Sequence, residues 1–214
     1  MTKDDHIVFI VDDDIRIRES LVELLESHGI PAMTFGSAGE YVNADKPDTP
    51  ACLILDVELP DINGLDLQGQ IAESDHPPIV FITGHGDIPS SVRAIKRGAL
   101  DFLTKPFSDT DVMSAVNAAI AQDRADREDR ADLSVLRRRY DNLTAREREV
   151  LPLVVSGFLN KQSAAKLGIS EVTLQIHRRN VMQKMAVTSL ADLVRVAERL
   201  GVQVTGRRAG GNGS

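Results

Sequence analysis

The sequence predicts an α/β domain with a doubly wound, five-stranded parallel sheet, followed by a small all-α domain that contains a helix-turn-helix. Up to residue 121, five short apolar runs alternate with helical patterns, which is typical of buried parallel strands joined by helices. Beyond residue 143 only helical patterns follow, and Gly168 lies in a turn between two of them. Length alone, at 214 residues, favours one or two domains.

Charge separates the two parts of the chain. Residues 1–121 hold 8 Lys and Arg against 21 Asp and Glu, a net charge of −13. Residues 143–214 hold 11 against 5, a net charge of +6. The basic part is therefore the candidate for binding a polyanion such as DNA, which the acidic part would repel.

The first domain is expected to contain five strand–helix units. The predicted strands cover 6–11, 30–34, 51–55, 78–82 and 100–103. The predicted helices cover 15–28, 37–44, 64–72, 89–97 and 108–120. Gly29 and Gly98 are expected to end the helices that they follow.

Polar residues with related chemistry follow four of these strands. Asp12 and Asp13 follow the first strand, Asp56 the third, Thr83 the fourth, and Lys105 lies just after the fifth. Because the functional crevice of an open parallel sheet lies at the carboxyl ends of its strands, these side chains should meet at one edge. Carboxylates suit Mg²⁺, and an aspartate can accept a phosphoryl group whose charge cations neutralise. The set therefore predicts phosphoryl transfer onto Asp56.

Residues 122–142 form a predicted helical linker without Gly or Pro. Its apolar edge consists of Leu133, Leu136, Tyr140 and Leu143. This edge would belong either to a signalling helix that extends the last helix of the first domain and pairs with a second chain, or to a solvated spacer that docks on its own domain. The second interpretation is slightly favoured, because a paired coil needs three or more heptads. The Gly-rich residues 201–214 are predicted to be disordered.

The second domain is expected to contain four helices over residues 143–200. Thr144 and Glu147 form a capping box at the first helix, and Ser170 caps the third. The predicted later helices cover 160–167, 171–185 and 189–200. The third helix carries polar side chains of the kind that reach phosphates and base edges, namely Gln175, Arg178, Arg179, Asn180 and Lys184.

Several classes of protein are disfavoured. The lone Cys52 lies in an apolar strand and cannot form a disulfide within the chain. The amino terminus lacks the apolar core of a signal peptide, and no apolar run approaches the roughly 18–20 residues of a membrane helix. We therefore expect a cytoplasmic protein without a membrane partner.

Residues 1–121 resemble a response-regulator receiver domain, which has a flavodoxin-like fold. The resemblance is carried by VDDD (11–14), LDVELPDINGL (55–65), TGHGD (83–87) and DFLTKPF (101–107). It implies Asp56 as the phospho-acceptor, and Mg²⁺ bound by Asp12, Asp13, Asp56 and the backbone carbonyl of Glu58. It also implies Thr83 and Phe102 as switch residues, Lys105 as the partner of the phosphoryl group, and a cis Lys105–Pro106 bond.

Residues 143–194 resemble the LuxR-type helix-turn-helix, and the whole architecture resembles the NarL/FixJ subfamily of response regulators. The resemblance implies that Gln175, Ile176 and Arg179 face the major groove of DNA. It places Lys161, Thr173, Arg178, Asn180 and Lys184 near phosphates or base edges. The chain departs from the family pattern at Gln162 and Ser163, where Ser163 puts a hydroxyl in a packing position. A carboxylate at Glu58 could tune metal affinity or phosphoryl lifetime.

The first hypothesis is a transcription regulator controlled by phosphorylation. A partner histidine kinase would phosphorylate Asp56, and Thr83 and Phe102 would then reshape the surface of the fourth helix and fifth strand, where Val92, Ile95, Lys96 and Asp101 lie. Phosphorylation would favour a dimer that binds double-stranded promoter DNA. RNA polymerase is a further candidate partner. One alternative is a regulator that binds DNA constitutively. A less favoured alternative is an Mg²⁺-dependent phosphotransfer enzyme, since no insertion is large enough to cap the site, so the chain is not expected to be an enzyme.

Overall fold

The computed structural model describes residues 6–72, 75–84 and 88–203. The chain divides into two compact units, with the boundary between Glu128 and Asp129. The predicted disorder of residues 201–214 concerns a segment that, beyond residue 203, lies outside the described residues. Among the described residues, no helix is both long enough and apolar enough to cross a membrane.

The first unit contains a five-stranded sheet whose paired strands are all parallel, in the order β2-β1-β3-β4-β5. The strands are β1 Ile7–Val11, β2 Ala32–Phe35, β3 Ala51–Asp56, β4 Ile79–Thr83 and β5 Asp101–Thr104. The helices are α1 Ile15–Ser27, α2 Ala38–Asn43, α3 Gly64–Ile71, α4 Ile88–Lys96 and α5 Asp109–Asp141. This topology confirms the predicted doubly wound fold.

Strand β1 shows how the sheet is covered on both faces. Val8 and Ile10 belong to a core with residues of α1 and α5. Phe9 and Val11 belong to a second core with residues of α2, α3 and α4. Alternate residues of a strand point to opposite faces, so a strand buried on both faces needs an unbroken apolar run. Fixed in this way, the strands bring their carboxyl ends to one edge.

Helix α5 joins two segments that the sequence predicted separately, a helix at 108–120 and a helical linker at 122–142. It continues from Asp109 to Asp141, beyond the predicted end at residue 120, and so spans the boundary between the units. The linker sequence contains neither Gly nor Pro, and nothing in it stops a helix once one has begun. The unbroken helix agrees with the first interpretation of the linker, in which it extends the last helix of the first domain. Tyr140 and Leu143 pack in the core of the second unit, as the docking interpretation expects.

The second unit contains four helices in its described part beyond α5. They are α6 Ala145–Val155, α7 Asn160–Leu167, α8 Glu171–Lys184 and α9 Leu190–Arg199. The predicted capping box is present, because Glu147 N donates to Thr144 Oγ1 at 3.3 Å and Thr144 N donates to Glu147 Oε2 at 2.8 Å. Gly168 ends α7 with a φ of 64°, a conformation that glycine adopts without strain. Leu174 and Val181 bury one side of α8 in the core and leave the opposite side to solvent.

Candidate functional site

An acidic cluster lies at the carboxyl edge of the sheet. Carboxylate oxygens of Asp12, Asp13 and Asp56 all lie within 4.8 Å of one another. Asp12 and Asp56 are buried, whereas Asp13 is exposed. Asp12 directly follows β1 and Asp56 ends the adjacent strand β3, so the parallel pairing brings these carboxylates together.

Lys105 bridges the two buried carboxylates. Its Nζ lies 2.6 Å from Asp12 Oδ2 and 2.6 Å from Asp56 Oδ2. The loop that carries it is held by a hydrogen bond from Lys105 N to Thr83 O at 2.7 Å, and the Lys105–Pro106 bond is cis. The structure therefore brings together residues from the ends of four strands.

The protonation of this cluster reflects both burial and pairing. Burial raises the pKa of Asp12, and it outweighs the hydrogen bond from Lys105 that favours the ionised form. Burial alone would lower the pKa of Lys105, but the hydrogen bonds to Asp12 and Asp56 raise it overall. Lys105 is consequently a permanent cation at neutral pH, and a further cation would favour the ionised form of Asp12.

Backbone groups orient both buried carboxylates. Asp14 N donates to Asp12 Oδ1 at 2.8 Å, and Glu58 N donates to Asp56 Oδ1 at 3.0 Å. The loop after Asp56 then folds back closely: a Cβ added to Gly64 would lie 2.2 Å from Asp56 O. The close approach of this loop to Asp56 requires glycine at position 64. The sequence patterns alone did not reveal this requirement.

Thr83 and Phe102 lie on the two neighbouring strands. Thr83 ends β4 and is buried. Phe102 is half-buried in β5, with its ring centroid 6.1 Å from that of Phe81. Phe102 thus packs against the core, and its role as a switch residue stays a prediction.

The solvent side of α8 is the candidate nucleic-acid interface. Gln175, Ile176 and Arg179 are exposed there, as is Lys161 on α7. Asn180 is half-buried. These positions agree with a helix that presents one polar side while its other side packs in the core.

Three of the predicted DNA-contacting side chains have partners within the second unit. Lys184 Nζ lies 2.7 Å from Glu147 Oε2 and donates to Asn142 O at 3.2 Å. Arg178 Nη1 donates to Asn160 Oδ1 at 3.0 Å, and the hydroxyls of Thr173 and Ser170 are 2.8 Å apart. The sequence did not predict the Glu147–Lys184 pair. The capping box alone explains an acid at position 147, and nothing in the sequence indicates a contact between this acid and α8.

Two protein families match this chain. Residues 8–117 match the response regulator receiver domain, and residues 141–197 match the luxR family of bacterial regulatory proteins. Among curated relatives, nodulation protein W of Bradyrhizobium diazoefficiens is 49% identical over 92% of this chain and 87% of that protein. Transcriptional regulatory protein FixJ of Azorhizobium caulinodans is 41% identical over 91% of this chain and 93% of its own length.

Solved structures agree with these matches. The response regulator StyR superposes with a TM-score of 0.77, at 44% identity, and covers 91% of this chain and 98% of that one. Full-length FixJ from B. japonicum has a TM-score of 0.55 at 36% identity and covers 92% of this chain and 98% of its own. The similarity thus extends over both units and the helix that connects them.

Proposed function

The chain belongs to the response regulators that join a receiver domain to a LuxR-type DNA-binding domain, and from this premise we propose that phosphorylation of Asp56 controls its binding to promoter DNA. The receiver domain implies a histidine kinase as the source of the phosphoryl group, and the LuxR-type domain implies DNA as the target. For the domain limits we propose a receiver at 1–121, a linker at 122–142, a DNA-binding domain at 143–200 and a tail at 201–214.

The observation that carries the proposal is the position of Asp56 beside Lys105. A carboxylate oxygen of Asp56 attacks the phosphorus of a phosphohistidine, the P–N bond breaks, and the histidine departs as an acyl phosphate forms. Lys105 Nζ, 2.6 Å from Asp56 Oδ2, lies where it can stabilise negative charge on the phosphoryl oxygens. The acid that receives the phosphoryl group and the cation that neutralises it are therefore adjacent before the reaction.

The acidic cluster fits a magnesium ion. Asp12, Asp13 and Asp56 supply the hard carboxylate oxygens that Mg²⁺ prefers, and the backbone carbonyl of Glu58 is the proposed further ligand. When bound, Mg²⁺ supplies charge neutralisation at the transferring phosphoryl group. Burial raises the pKa of Asp12, and the ion would oppose this effect by favouring the charged carboxylate.

The proposed response passes from Thr83 and Phe102 to a surface on α4 and β5. Thr83 would donate its hydroxyl to the phosphoryl group, and Phe102 would move with it. Val92 and Ile95 are exposed apolar residues of α4, with 46% and 47% of their surface accessible, which supports a role in a phosphorylation-dependent homodimer. Lys96 and Asp101 are the proposed polar members of this surface.

For DNA recognition, we propose that the exposed Gln175, Ile176 and Arg179 enter the major groove. The proposed contacts to phosphates or nearby edges come from Lys161, Thr173, Arg178, Asn180 and Lys184. A dimer would present two α8 helices to a palindromic site, whose half-site spacing mirrors the two-fold axis. RNA polymerase is proposed as a further partner at the promoter.

The test compares wild type with Asp56→Asn and with a control, Asp66→Asn, which neutralises an exposed acid on α3. Each is treated with Mg²⁺ and acetyl phosphate, then examined by sedimentation and DNA binding. We expect wild type and the control to dimerise and bind DNA more tightly after treatment, and Asp56→Asn to do neither. Strong DNA binding by all three proteins without treatment would instead support constitutive DNA binding.

A further inference from the structure

We propose that Arg18 is a positioning residue for the metal site, which it serves by holding the backbone of the acidic loop between β1 and α1. This inference rests on the proposed function, because it concerns Mg²⁺ binding by the acidic cluster. Arg18 lies on α1 and is half-buried. Its guanidinium contacts the backbone of the metal-binding loop and none of the three carboxylates among its described hydrogen bonds.

One nitrogen atom of Arg18 donates hydrogen bonds to two consecutive peptide carbonyls. Arg18 Nη1 donates to Asp12 O at 2.5 Å and to Asp13 O at 3.1 Å. These carbonyls belong to two of the three residues whose carboxylates are proposed to bind the metal. With both carbonyl groups directed at the guanidinium, the peptide planes between Asp12 and Asp14 are fixed, and the directions of the attached carboxylates are fixed with them.

The remaining polar groups of the loop strengthen this constraint. Asp12 N donates to Phe35 O at 3.2 Å, so both backbone groups of Asp12 have partners. Asp14 N donates to Asp12 Oδ1 at 2.8 Å, which links the carboxylate to the same loop. Loss of the Arg18 contacts would remove the hydrogen bonds that tie the carbonyls of this loop to α1.

The guanidinium of Arg18 also lies near the β2–α2 loop. A Cβ added to Gly36 would lie 3.7 Å from Arg18 Nη1 and 3.5 Å from Glu40 Oε2, so both side chains lie close to Gly36. Gly36 N donates to Glu40 Oε2 at 2.7 Å. A guanidinium that donates to two carbonyls is well suited to rigid positioning, since its donors lie in a fixed plane.

The direction in which Mg²⁺ affinity changes on removal of Arg18 distinguishes a positioning role from a purely electrostatic one. Arg18 is a cation near a cation-binding site, and removing a positive charge would by itself make Mg²⁺ bind more tightly. If Arg18 positions the ligands, its removal should weaken Mg²⁺ binding by about 10-fold, as is typical when groups that orient metal ligands are lost.

Arg16 provides a matched control. It is on the same helix two residues earlier, its side chain is 84% exposed, and it pairs with the side chain of Asp14. Among the described hydrogen bonds, Arg16 makes none to the carbonyls of Asp12 or Asp13. Arg16→Met therefore removes the same charge as Arg18→Met and leaves the carbonyl contacts in place.

The experiment measures Mg²⁺ binding to the full chain by isothermal titration calorimetry, for wild type, Arg18→Met, Arg16→Met and Arg18→Lys. In metal-free protein, amide hydrogen exchange of Asp14 reports the order of the loop. We expect weaker Mg²⁺ binding and faster Asp14 exchange in Arg18→Met, partial recovery of both in Arg18→Lys, and unchanged or tighter binding in Arg16→Met. If Arg18→Met does not fold, Arg18→Gln against Arg16→Gln replaces that comparison.

Equal Mg²⁺ affinity in Arg18→Met and wild type, or tighter binding in both arginine variants, would overturn the inference and leave the proposed function intact. Failure of wild type to bind Mg²⁺ at all would instead count against the proposed metal site. Weaker binding with unchanged Asp14 exchange would also overturn positioning, because the loop would then be ordered without Arg18.

Discussion

At the scale of single residues, Glu147 shows how hydrogen-bond and ion-pair partners stabilise a buried carboxylate. It is 2% exposed, caps α6 through Thr144, and pairs with Lys184 of α8. Burial alone would raise the pKa of Glu147, but the hydrogen bonds from Lys184 and Thr144 lower it overall. The pair therefore joins two helices of the DNA-binding domain, so Lys184 has a structural role beside its proposed contact with DNA.

We predict that Lys184→Met lowers the free energy of unfolding of the second unit by about 1–3 kcal/mol, because it leaves a buried acid short of a partner. A carboxyl whose folded pKa is depressed stabilises the fold above its unfolded pKa, and loses that contribution as pH falls through the folded pKa. The deficit should thus be largest at neutral pH and shrink in acid. Urea unfolding of the full chain, followed through amide resonances of α6 and α8, measures it.

The control for this prediction is Lys161→Met, which removes an exposed cation from α7 in the same unit. It should change stability little. A similar loss of stability in both variants, or a deficit that does not depend on pH, would show that the ion pair with Glu147 is not the cause.

The side chain of Ser163 is a buried polar group that makes no hydrogen bond to the described residues. Its side chain is fully buried in α7, and its Oγ has no partner among the described residues. We predict that Ser163→Ala raises the free energy of unfolding by about 0.5–1 kcal/mol, since it removes an unsatisfied hydroxyl and favours the helix. Ser134→Ala on α5 is the control, because Ser134 Oγ donates to Ala131 O. An equal gain in both variants would attribute the effect to helix propensity alone.

At the scale of secondary-structure elements, α3 begins against the strand that carries Asp56. We predict that Gly64→Ala destabilises the receiver by more than about 2 kcal/mol, because the 2.2 Å approach of a Cβ to Asp56 O cannot be relieved without moving backbone. Phosphorylation by acetyl phosphate should slow as well, since Asp56 would shift. Thermal unfolding and phosphorylation rates measure the two effects.

Gly69 on the same helix is the matched control. No described atom lies within 4 Å of a Cβ added there, so Gly69→Ala should stabilise the helix by about 0.5–1 kcal/mol. Destabilisation by both substitutions would mean that α3 tolerates no added methyl group, and that close approach to Asp56 is not the reason.

The sequence predicted most elements because their signals are local. Strand β1 was expected at 6–11 and lies at Ile7–Val11, and α1 was expected at 15–28 and lies at Ile15–Ser27. For α5, a helix and a helical linker were predicted at 108–120 and 122–142, but their continuity was left open, because the absence of stop signals is weaker evidence than their presence. The carboxyl-edge cluster was also predictable, since parallel strand ends must meet. The partners of Arg18 and Lys184 were not, because each depends on packing between segments that no local pattern relates.

At the scale of the whole molecule, the separation of charge should govern how DNA binding responds to salt. The affinity of a protein for duplex DNA falls with salt according to the number of phosphates that its cations neutralise. If the acidic receiver makes no phosphate contacts, only cations of residues 143–214 should contribute to this dependence. Lys161 is exposed on α7 and is among the proposed contacts to phosphates, and Arg93 is exposed on α4, so substitution by Gln removes one positive charge from either part of the chain.

We predict that Lys161→Gln reduces the steepness of the decrease in log affinity with log salt by about 1, whereas Arg93→Gln leaves it unchanged. Fluorescence anisotropy with labelled duplex DNA, measured on the acetyl-phosphate-treated full chain over a range of salt concentrations, gives both slopes. A reduced slope in Arg93→Gln would show that the receiver itself contacts DNA. In that case the net charge of each part would not reveal which part binds, because a local group of cations would outweigh the overall acidity of the receiver.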